Sequence, residues 1–349
     1  MSAAAGGKRG ETMIRIIESG LCTTVQDRGR SGCMKLGITG AGAMDERSYE
    51  IANILVGNDG GEAALEATLI GPEIEFVSEC WFAVTGGNLG PHLNGEPIAM
   101  YRPLLGHPGD RLTFAGRKTG CRAYIAFRGG LDVPVVLGSR ATDMKAKLGG
   151  RQGRALRTGD EIALRLGTEK MCASPISPED FSGRRKVLRV LMGPQEDYFT
   201  EQGIHMFLST PYTVTPKCDR MGCRFSGEPI RTVSGSDIIT DGICMGAVQI
   251  PADGLPIIML ADRQPTGGYA KIANVISVDL PVAAQLIPGD VVEFSKVTIR
   301  EAQELLLRQK EQLDAMRKSV AASAPRRYRV VVGGEIYTIE LETMEGDIL

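Results

Sequence analysis

The sequence is poor in the residues that build most metal and nucleophile sites. Three histidines occur in 349 residues, His92, His107 and His205, and none has a second histidine at helical or ribbon spacing. The eight cysteines include no Cys-x-x-Cys pair, and the spacing of Cys218 and Cys223 suits neither a zinc knuckle nor a redox motif. The scarcity of histidine argues against a zinc hydrolase and a Ser-His-Asp site. We predict no metal centre and mostly reduced cysteines.

Long apolar runs and long runs of one charge are also lacking. No stretch approaches the ~18 apolar residues that span a bilayer, and the N-terminal MSAAAGGKRGET lacks the apolar core of a signal peptide. Forty basic and forty-two acidic side chains give a net charge of -2, which does not favour nucleic acid. We therefore expect a cytoplasmic protein that binds neither a membrane nor a nucleic acid.

The sequence also lacks a complete nucleotide-binding motif. The segment GAGAMD ends in Asp45 where a dinucleotide motif has glycine, and no parallel βαβ pattern surrounds it. No GxxxxGK[ST] sequence occurs, so ATP, if used, is not held by a Walker loop. Two other glycine-rich stretches, 85–88 and 138–142, could offer backbone N–H groups to an anion.

Short strands and turns dominate what is present. Forty-four glycines and eighteen prolines separate short β-branched runs, a pattern typical of barrels and sandwiches. A Gly-Asp turn opens an alternating strand three times, at Gly109, Gly159 and Gly289. The recurrence hints at two related barrels. We predict a mainly β chain with a few helices.

A segment rich in proline, serine and charge, 170–185, separates two strand-rich halves.

Thr298 and Glu301 form a Thr-x-x-Glu capping box before residues with helical periodicity. Two shorter helices are predicted, one over Asp45 to Leu55 and one beginning between Pro194 and Gln202. The predicted organisation is a disordered tail over 1–12, a first β-barrel subdomain over 13–170, a second over 186–297, a helix over 298–322 and a hairpin tail over 326–349.

Two polar clusters are candidates for a functional site. The segment from Asp262 to Tyr269 follows the apolar run from Ile257 to Ala261 directly, and a buried strand that ends in polar residues commonly presents chemistry at the rim of a scaffold. Its two glycines would let the backbone turn sharply and a ligand approach closely. The second cluster runs from Gln26 to Arg30 and continues to Asp45.

Six motifs in order resemble a known family. They read QDRGRSGCMKLGITGAGAMD, TGGNLGPHLNG, GSRATD with GGRQGRALRTGD, CDRMGCRFSG, GAVQIPADGLPI and DRQPTGGYAKIANVI. Together they resemble the KipA family, whose members are also described as the C subunit of 5-oxoprolinase, allophanate hydrolase subunit 2, or the biotin-dependent carboxyltransferase domain of urea amidolyase. The resemblance covers roughly Met13 to Arg317.

The resemblance implies two cyclophilin-like β-barrel subdomains and a KipI-like partner, which is the B subunit of 5-oxoprolinase. In the 5-oxoprolinase arrangement a LamB/YcsF-like chain, the A subunit, joins them, and the complex uses ATP to open the lactam of 5-oxoproline to glutamate. In the urea carboxylase arrangement the domain moves a carboxyl group from carboxybiotin to a urea nitrogen. Both chemistries act on a small, weakly reactive amide or ureido group.

Activating a planar amide needs a positive donor on its oxygen and an acceptor for its N–H. Arg263 or Arg28, paired with Asp262 or Asp27, could supply them. The predicted catalytic residues are Asp262, Arg263, Tyr269 and Lys271, the last two as proton carriers. The predicted substrate-binding residues are Gln26, Asp27, Arg28, Asp45, Gln249, Gln264, Thr266, Gly267 and Gly268. For each of them the alternative is a purely structural role.

The chain departs from the family pattern at three positions. Pro265 stands where threonine is more usual, and it removes a hydroxyl and a backbone donor. Ala270 stands where proline often follows the Gly-Gly-Tyr sequence in the family. Ala141 stands where serine commonly completes a GSRST motif. The tail RRYRVVVGGEIYTIELE looks like the first hairpin of a biotin carrier domain, but LETMEGDIL has no lysine to carry biotin.

Three functions remain open. The first is a component of an ATP-dependent 5-oxoprolinase, which we favour because the sequence holds neither a biotin carboxylase nor a complete carrier domain. The second is a carboxyltransferase that takes its carboxyl group from biotin on a separate carrier and acts on urea or a related amide. The third is a KipA-type regulatory module that binds a KipI-like kinase inhibitor.

Overall fold

The computed structural model describes residues 12–167, 176–322, 326–332 and 335–341. The predicted N-terminal tail lies outside this range except for its last residue. Within it the chain forms twenty-two strands and four α-helices, so the prediction of a mainly β fold is confirmed. The predicted division at 170–185 falls partly outside the described residues, and the subdomain bounds stay predictions.

The first half folds as two sheets around one apolar core. Its strands are β1 (Met13–Glu18), β2 (Cys22–Gln26), β3 (Ala64–Thr68), β4 (Glu73–Phe76), β5 (Cys80–Asn88), β6 (Pro91–Leu93), β7 (Glu96–Pro97), β8 (Pro103–Gly106), β9 (Arg111–Phe114), β10 (Thr119–Phe127) and β11 (Glu161–Ala163). The six-stranded sheet has the order β11-β1-β4-β9-β6-β7, and the five-stranded sheet has the order β2-β3-β10-β5-β8. Ile14 and Ile16 point inward from β1 because alternate side chains of a strand face the same side. The rings of Phe76 and Phe82 meet in this core at 5.0 Å.

The second half contains a closed barrel. Its strands are β12 (Arg185–Met192), β13 (Tyr212–Cys218), β14 (Gly222–Ser226), β15 (Asp237–Gly242), β16 (Ala247–Gln249), β17 (Ile257–Met259), β18 (Thr266–Tyr269), β19 (Lys271–Val275) and β20 (Val291–Lys296). Seven of them close in the order β12-β19-β16-β17-β14-β13-β20, and β20 pairs in parallel with β12. The other two, β15 and β18, form a separate two-stranded ribbon. Phe207 stacks on Phe294 at 4.5 Å in the barrel core.

The three Gly-Asp turns are built alike. Gly109, Gly159 and Gly289 all have φ between 86° and 89°, in the left-handed region that glycine tolerates. In each turn the aspartate carboxylate accepts the backbone N–H three residues earlier, in the pairs His107 and Asp110, Arg157 and Asp160, and Ile287 and Asp290. A strand follows at once each time, as β9, β11 and β20. The sequence prediction for these turns is confirmed.

Three of the four described helices, α1, α2 and α4, begin after a residue whose side chain caps them. They are α1 (Glu46–Leu55), α2 (Glu201–Ser209), α3 (Leu280–Ala284) and α4 (Ile299–Ala322). Asp45 caps α1 by accepting the N–H of Ser48. Before α4, the N–H of Thr298 donates to Glu301 Oε2 at 2.7 Å and the N–H of Glu301 donates to Thr298 Oγ1 at 3.2 Å. This is the predicted capping box, in which each side chain satisfies the other's backbone donor.

The predicted tail hairpin is present as the antiparallel pair β21 (Arg326–Val332) and β22 (Glu335–Leu341). Its turn and residues 342–349 lie outside the described range. None of the described helices combines the length and apolar character that a membrane crossing requires. The described residues also hold no group of three His, Cys, Asp or Glu side chains arranged for a metal ion.

A buried polar network joins the two halves. Arg220, in the turn between β13 and β14, donates from Nη1 to Glu66 on β3 and from Nη2 to the carbonyl of Gly42 at 2.7 Å. Its Nε and Nη2 also reach the two oxygens of Asp262 at 2.8 and 2.9 Å. The guanidinium is thus shared between a carboxylate of the first half and one of the second.

Gln285, just after α3, makes a second connection. Its Oε1 accepts the backbone N–H groups of Cys121 and Arg122, each at 2.8 Å. Its Nε2 donates to the carbonyl of Arg122 and to Asp45 Oδ2, each at 2.9 Å. All four hydrogen-bonding positions of this buried amide are used across the interface between the halves.

Candidate active site

A cavity of about 590 Å³ opens beside the barrel, where β16 and β19 face the ribbon of β15 and β18. Its polar lining consists of Lys35, Asp241, Cys244, Arg263, Thr266, Lys271 and Asn274. The first half contributes only Met34 and Lys35. The volume suits a small-molecule ligand, and the cavity brings together three of the residues predicted from the segment after β17.

Lys271 is the most buried charged residue of the cavity. Its side chain is 5% exposed, and its Nζ donates to Asp241 Oδ2 at 2.7 Å. Its backbone N–H donates to Gln195 Oε1 at 3.2 Å. The hydrogen bond from Lys271 holds the pKa of Asp241 below its usual range, so the carboxylate stays ionised at neutral pH. An ammonium fixed this way can donate a proton or a hydrogen bond into the cavity.

Arg263 is held by the backbone and not by an acid. Its Nε donates to the carbonyl of Ile243 at 3.0 Å, and its Nη1 donates to the carbonyl of Leu260 at 3.2 Å. Burial lowers the pKa of this guanidinium from its ordinary value. Its Nη2 has no hydrogen-bond partner among the described residues, so it is a donor that a ligand can use.

Asp262 faces the interface network, so among the predicted combinations of Arg263 or Arg28 with Asp262 or Asp27, the pairing of Arg263 with Asp262 is not formed. Burial raises the pKa of Asp262, and the opposing charge of Arg220 only partly offsets it. Burial alone would also raise the pKa of Glu66, but Arg220 and Arg122 outweigh it and lower that pKa. Glu66 differs because it also accepts hydrogen bonds from the Met44 N–H and the Tyr124 hydroxyl.

The two glycines of the cluster lie inside strand β18, not in a turn. Neither Gly267 nor Gly268 has a positive φ, so the predicted sharp turn is wrong. A Cβ on Gly267 would lie 2.6 Å from Ile243 Cδ1 and 3.1 Å from Gln249 Nε2. Close packing of the ribbon against the barrel therefore explains why this position is glycine.

The remaining residues of the segment surround the ribbon. Thr266 lines the cavity. Tyr269 is 39% exposed, and its backbone carbonyl accepts a 3.4 Å hydrogen bond from Gln249 Nε2. Gln264 lies beside Gly267, with its Nε2 3.6 Å from the position a Cβ would take. Substrate contact by Tyr269, Gln249 or Gln264 stays a prediction.

The four predicted site residues of the early cluster, Gln26, Asp27, Arg28 and Asp45, lie outside the cavity lining. Asp27 accepts the N–H of Gly29 at 2.8 Å, the hydroxyl of Ser139 at 2.6 Å and the N–H of Arg140 at 2.5 Å. The Asp27 carboxylate thus binds to the glycine-rich loop at 138–142, which the sequence analysis considered as a binding site for an external anion. Gln26 is fully buried, and its Nε2 donates to Thr24 Oγ1 at 2.9 Å and to the carbonyl of Thr142 at 3.2 Å.

Arg28 and Asp45 also make contacts within the protein. Arg28 Nη2 lies 2.7 Å from Glu50 Oε1, beside a second cavity of about 680 Å³ between α1 and α4. Glu50 also pairs with Arg317, so these charges compensate one another. Asp45 is fully buried as the cap of α1, and burial raises its pKa to about 7. For Gln26, Asp27, Arg28 and Asp45 the contacts found are structural, and substrate binding stays a prediction.

Sequence reasoning missed Lys35, Asp241 and Asn274 in the cavity and Arg220 in the interface network. Asp241 follows an ordinary β-branched run, which gives no local signal. Arg220 lies inside the motif CDRMGCRFSG, which helped to carry the family resemblance but was given no role. The contacts of both residues depend on pairing between segments far apart in the sequence.

The two sheets of the first half and the closed barrel of the second half, with a cationic cavity beside the barrel, define a two-part β protein. The family model "Carboxyltransferase domain, subdomain A and B" matches residues 36–296, and the chain belongs to this family. The resemblance stated from the motifs is confirmed.

Relatives of two kinds share this domain. The chain is 36% identical over 290 residues to the C subunit of 5-oxoprolinase from Escherichia coli (strain K12), covering 83% of this chain and 93% of that one. It is 32% identical to "Urea amidolyase" of Lachancea kluyveri, covering 86% of this chain and 17% of that one. The crystal structure of the K. lactis urea amidolyase superposes with a TM-score of 0.82 at 30% identity, covering 89% of this chain and 20% of that one. The family members so named are components of enzymes.

Proposed function

We propose that this chain is the C subunit of an ATP-dependent 5-oxoprolinase complex that hydrolyses 5-oxoproline to glutamate. The observation that carries the proposal is the similarity to 5-oxoprolinase C subunits along nearly the whole relative, 93% of the Escherichia coli protein and 99% of the Haemophilus influenzae one at 34% identity. By contrast, the chain spans under a fifth of the urea amidolyases it matches. The cavity chemistry agrees with this assignment.

Opening a lactam breaks the bond between the carbonyl carbon and the ring nitrogen while water supplies the new carboxyl oxygen. The departing nitrogen must gain a proton, and the carbonyl oxygen must be polarised. Lys271 is suited to hold that proton, because Asp241 fixes its ammonium at 2.7 Å at the cavity wall. Thr266 supplies a hydroxyl in the same lining.

ATP would drive ring opening through the assembled complex. In this chain the glycine-rich loop 138–142, a candidate anion site, is filled by the Asp27 carboxylate. We therefore assign no phosphate contact to this loop and expect the partner chains to bind the nucleotide. Those partners are the KipI-like B subunit and the LamB/YcsF-like A subunit, in the cytoplasm.

Reconstitution tests the proposal. The three chains are mixed with ATP and 5-oxoproline, and glutamate is measured with and without this chain. We expect ATP-dependent glutamate only in the complete mixture. Lys271→Met should lower turnover at least about a hundredfold, whereas Lys217→Met, a change at an exposed lysine of β13, should preserve it. A complete mixture of folded, co-purifying subunits that releases no glutamate contradicts the proposal.

A second candidate is a biotin-dependent carboxyltransferase acting on urea or a related amide. The structural match to the Kluyveromyces lactis urea carboxylase, with a TM-score of 0.82, favours it. It would need carboxybiotin on a separate carrier, so transfer of a labelled carboxyl group from such a carrier to urea distinguishes it. If neither reaction occurs with the parent chain but partner binding persists, a KipA-type regulatory role replaces both.

A further inference from the structure

Arg263 is a positioned cation without a counter-charge. The carbonyls of Ile243 and Leu260 accept from its Nε and Nη1, which fixes the plane of the guanidinium. It forms no ion pair with any residue that the structure describes. Its neighbour in sequence, Asp262, is bound on both oxygens by Arg220. Arg263 lines the 590 Å³ cavity, and its Nη2 has no hydrogen-bond partner among the described residues.

The cavity as a whole has an excess of positive charge. Its lining includes three cations, Lys35, Arg263 and Lys271, and one carboxylate, Asp241. Asp241 is engaged by Lys271, so it does not neutralise Arg263. Arg263 is half-buried, and the free energy lost by removing part of a cation from water without a counter-charge is offset when an anion enters the site.

The planar geometry of the Arg263 guanidinium indicates which kind of anion it would bind. A guanidinium whose plane is fixed binds a planar carboxylate through two parallel N–H bonds, which is stronger and more directional than a lysine contact. Much of the remaining lining is apolar, including Met34, Pro194, Ile243 and Pro265. The cavity therefore suits a small molecule with a carboxylate at one end and an apolar body.

We propose that Arg263 binds a carboxylate of the substrate, so that the cavity selects amides that also carry a carboxylate group over neutral amides. The inference rests on the proposed function and narrows its substrate class. Arg263 then recognises the carboxylate of the substrate, and Lys271 and Asp241, in the same cavity lining, face its amide group. A neutral substrate such as urea would leave the cation unpaired.

The carboxylate has two possible sources with the same chemistry. It can belong to the substrate, as in 5-oxoproline, or it can be the carboxyl group carried on biotin in a transfer reaction. Binding measurements without biotin separate the two. A ligand series of 5-oxoproline, its neutral primary amide and pyrrolidin-2-one changes the carboxylate and keeps the lactam.

The experiment measures binding of these ligands by calorimetry to the purified chain and to the assembled complex. We expect 5-oxoproline to bind about ten- to a hundredfold more tightly than either neutral lactam, the range of one charge-assisted pair. Arg263→Met should remove this preference, and Arg263→Lys should retain part of it. Arg224→Met, at an exposed arginine of β14, should leave it unchanged.

The outcomes separate this inference from the function. Equal affinity for 5-oxoproline and pyrrolidin-2-one overturns it, as does a preference that survives in a folded Arg263→Met protein. Absence of carboxylate-dependent binding in both chain and complex overturns it too, and leaves the carboxyl group carried on biotin as the remaining carboxylate for Arg263. If the preference depends on Arg263 but no glutamate forms, the carboxylate site stands and the 5-oxoprolinase proposal fails.

Discussion

Nζ of Lys271, on barrel strand β19, lies 2.7 Å from Oδ2 of Asp241, on ribbon strand β15. The lysine is almost fully buried, whereas the aspartate side chain is 52% exposed. The pair therefore joins the rigid barrel to the ribbon that covers one side of the cavity. Its position makes the orientation of the ammonium dependent on the ribbon.

A double-mutant cycle tests this dependence in the assembled complex. Lys271→Met should lower kcat by about a hundredfold to ten-thousandfold, the range of a general acid. Asp241→Asn should lower it about tenfold because the ammonium loses its fixed partner. In the Lys271→Met background Asp241→Asn should have no further effect. Independent, multiplicative losses in kcat would show that the two residues do not act together.

Because the Arg220 guanidinium is shared between two carboxylates, we expect its removal to lower the free energy of unfolding strongly. Arg220→Met removes the ion-pair partner of Asp262 and one of the two cations that lower the pKa of Glu66. It leaves one fully buried and one largely buried carboxylate without this charge, at a cost of about 3 to 5 kcal/mol. Urea denaturation would measure it against Arg224→Met, which should stay within about 0.5 kcal/mol of the parent. A loss below about 1 kcal/mol for Arg220→Met would mean that the network contributes little.

Asp45 predicts a pH dependence of stability. Its pKa is about 7 in the fold against an ordinary value of 3.8, because burial disfavours the ionised form. The folded state thus binds the proton more tightly than the unfolded chain between these values. The stability from this group is fully present below about pH 4 and is lost as pH rises through about 7, by at most about 1.4 kcal/mol per pH unit.

Comparison with Asp45→Asn isolates this contribution, since asparagine also caps helices but does not titrate. The unfolding free energy of the parent minus that of the variant should fall between pH 5 and 7 and level off above about 7.5. Urea midpoints across this range provide the measurement. A difference that stays constant or rises with pH would show that Asp45 is already ionised in the fold.

The capping box of α4 predicts a local effect. Thr298→Ala removes the acceptor for the N–H of Glu301 and should destabilise the helix start by about 1 kcal/mol. Hydrogen exchange of the first turn should then become about fivefold faster, whereas Thr298→Ser should restore protection. Unchanged exchange in Thr298→Ala would mean that packing of α4, not its cap, holds this end.

Local chemistry explains which parts of the fold were predictable. The Gly-Asp turns and the Thr298 box each satisfy their own hydrogen bonds within four residues, so their sequence suffices. The strand before Asp262 was predictable for the same reason, from an unbroken apolar run. The family resemblance then supplied the arrangement of these elements, which no local pattern contains.

Distant pairing explains why other parts of the site could not be predicted. Lys271 was predicted, but its partner Asp241 lies on another strand, and only the pairing of β15 with β18 brings it near. Asp262 and Arg263 are adjacent in sequence, yet their side chains point to the interface and to the cavity, respectively. Such a divergence depends on which partners the fold provides, here Arg220 and the carbonyl of Ile243.

The parallel pairing of β12 with β20 has a consequence for synthesis of the chain. Both neighbours of β12 in the barrel, β19 and β20, are the last barrel strands to leave the ribosome. Until Val291 to Lys296 emerges, β12 keeps at least one unpaired edge beside an incomplete core, and such an edge favours aggregation. We expect the barrel to close late and in one step, so nascent chains that stop before β20 should depend on chaperones.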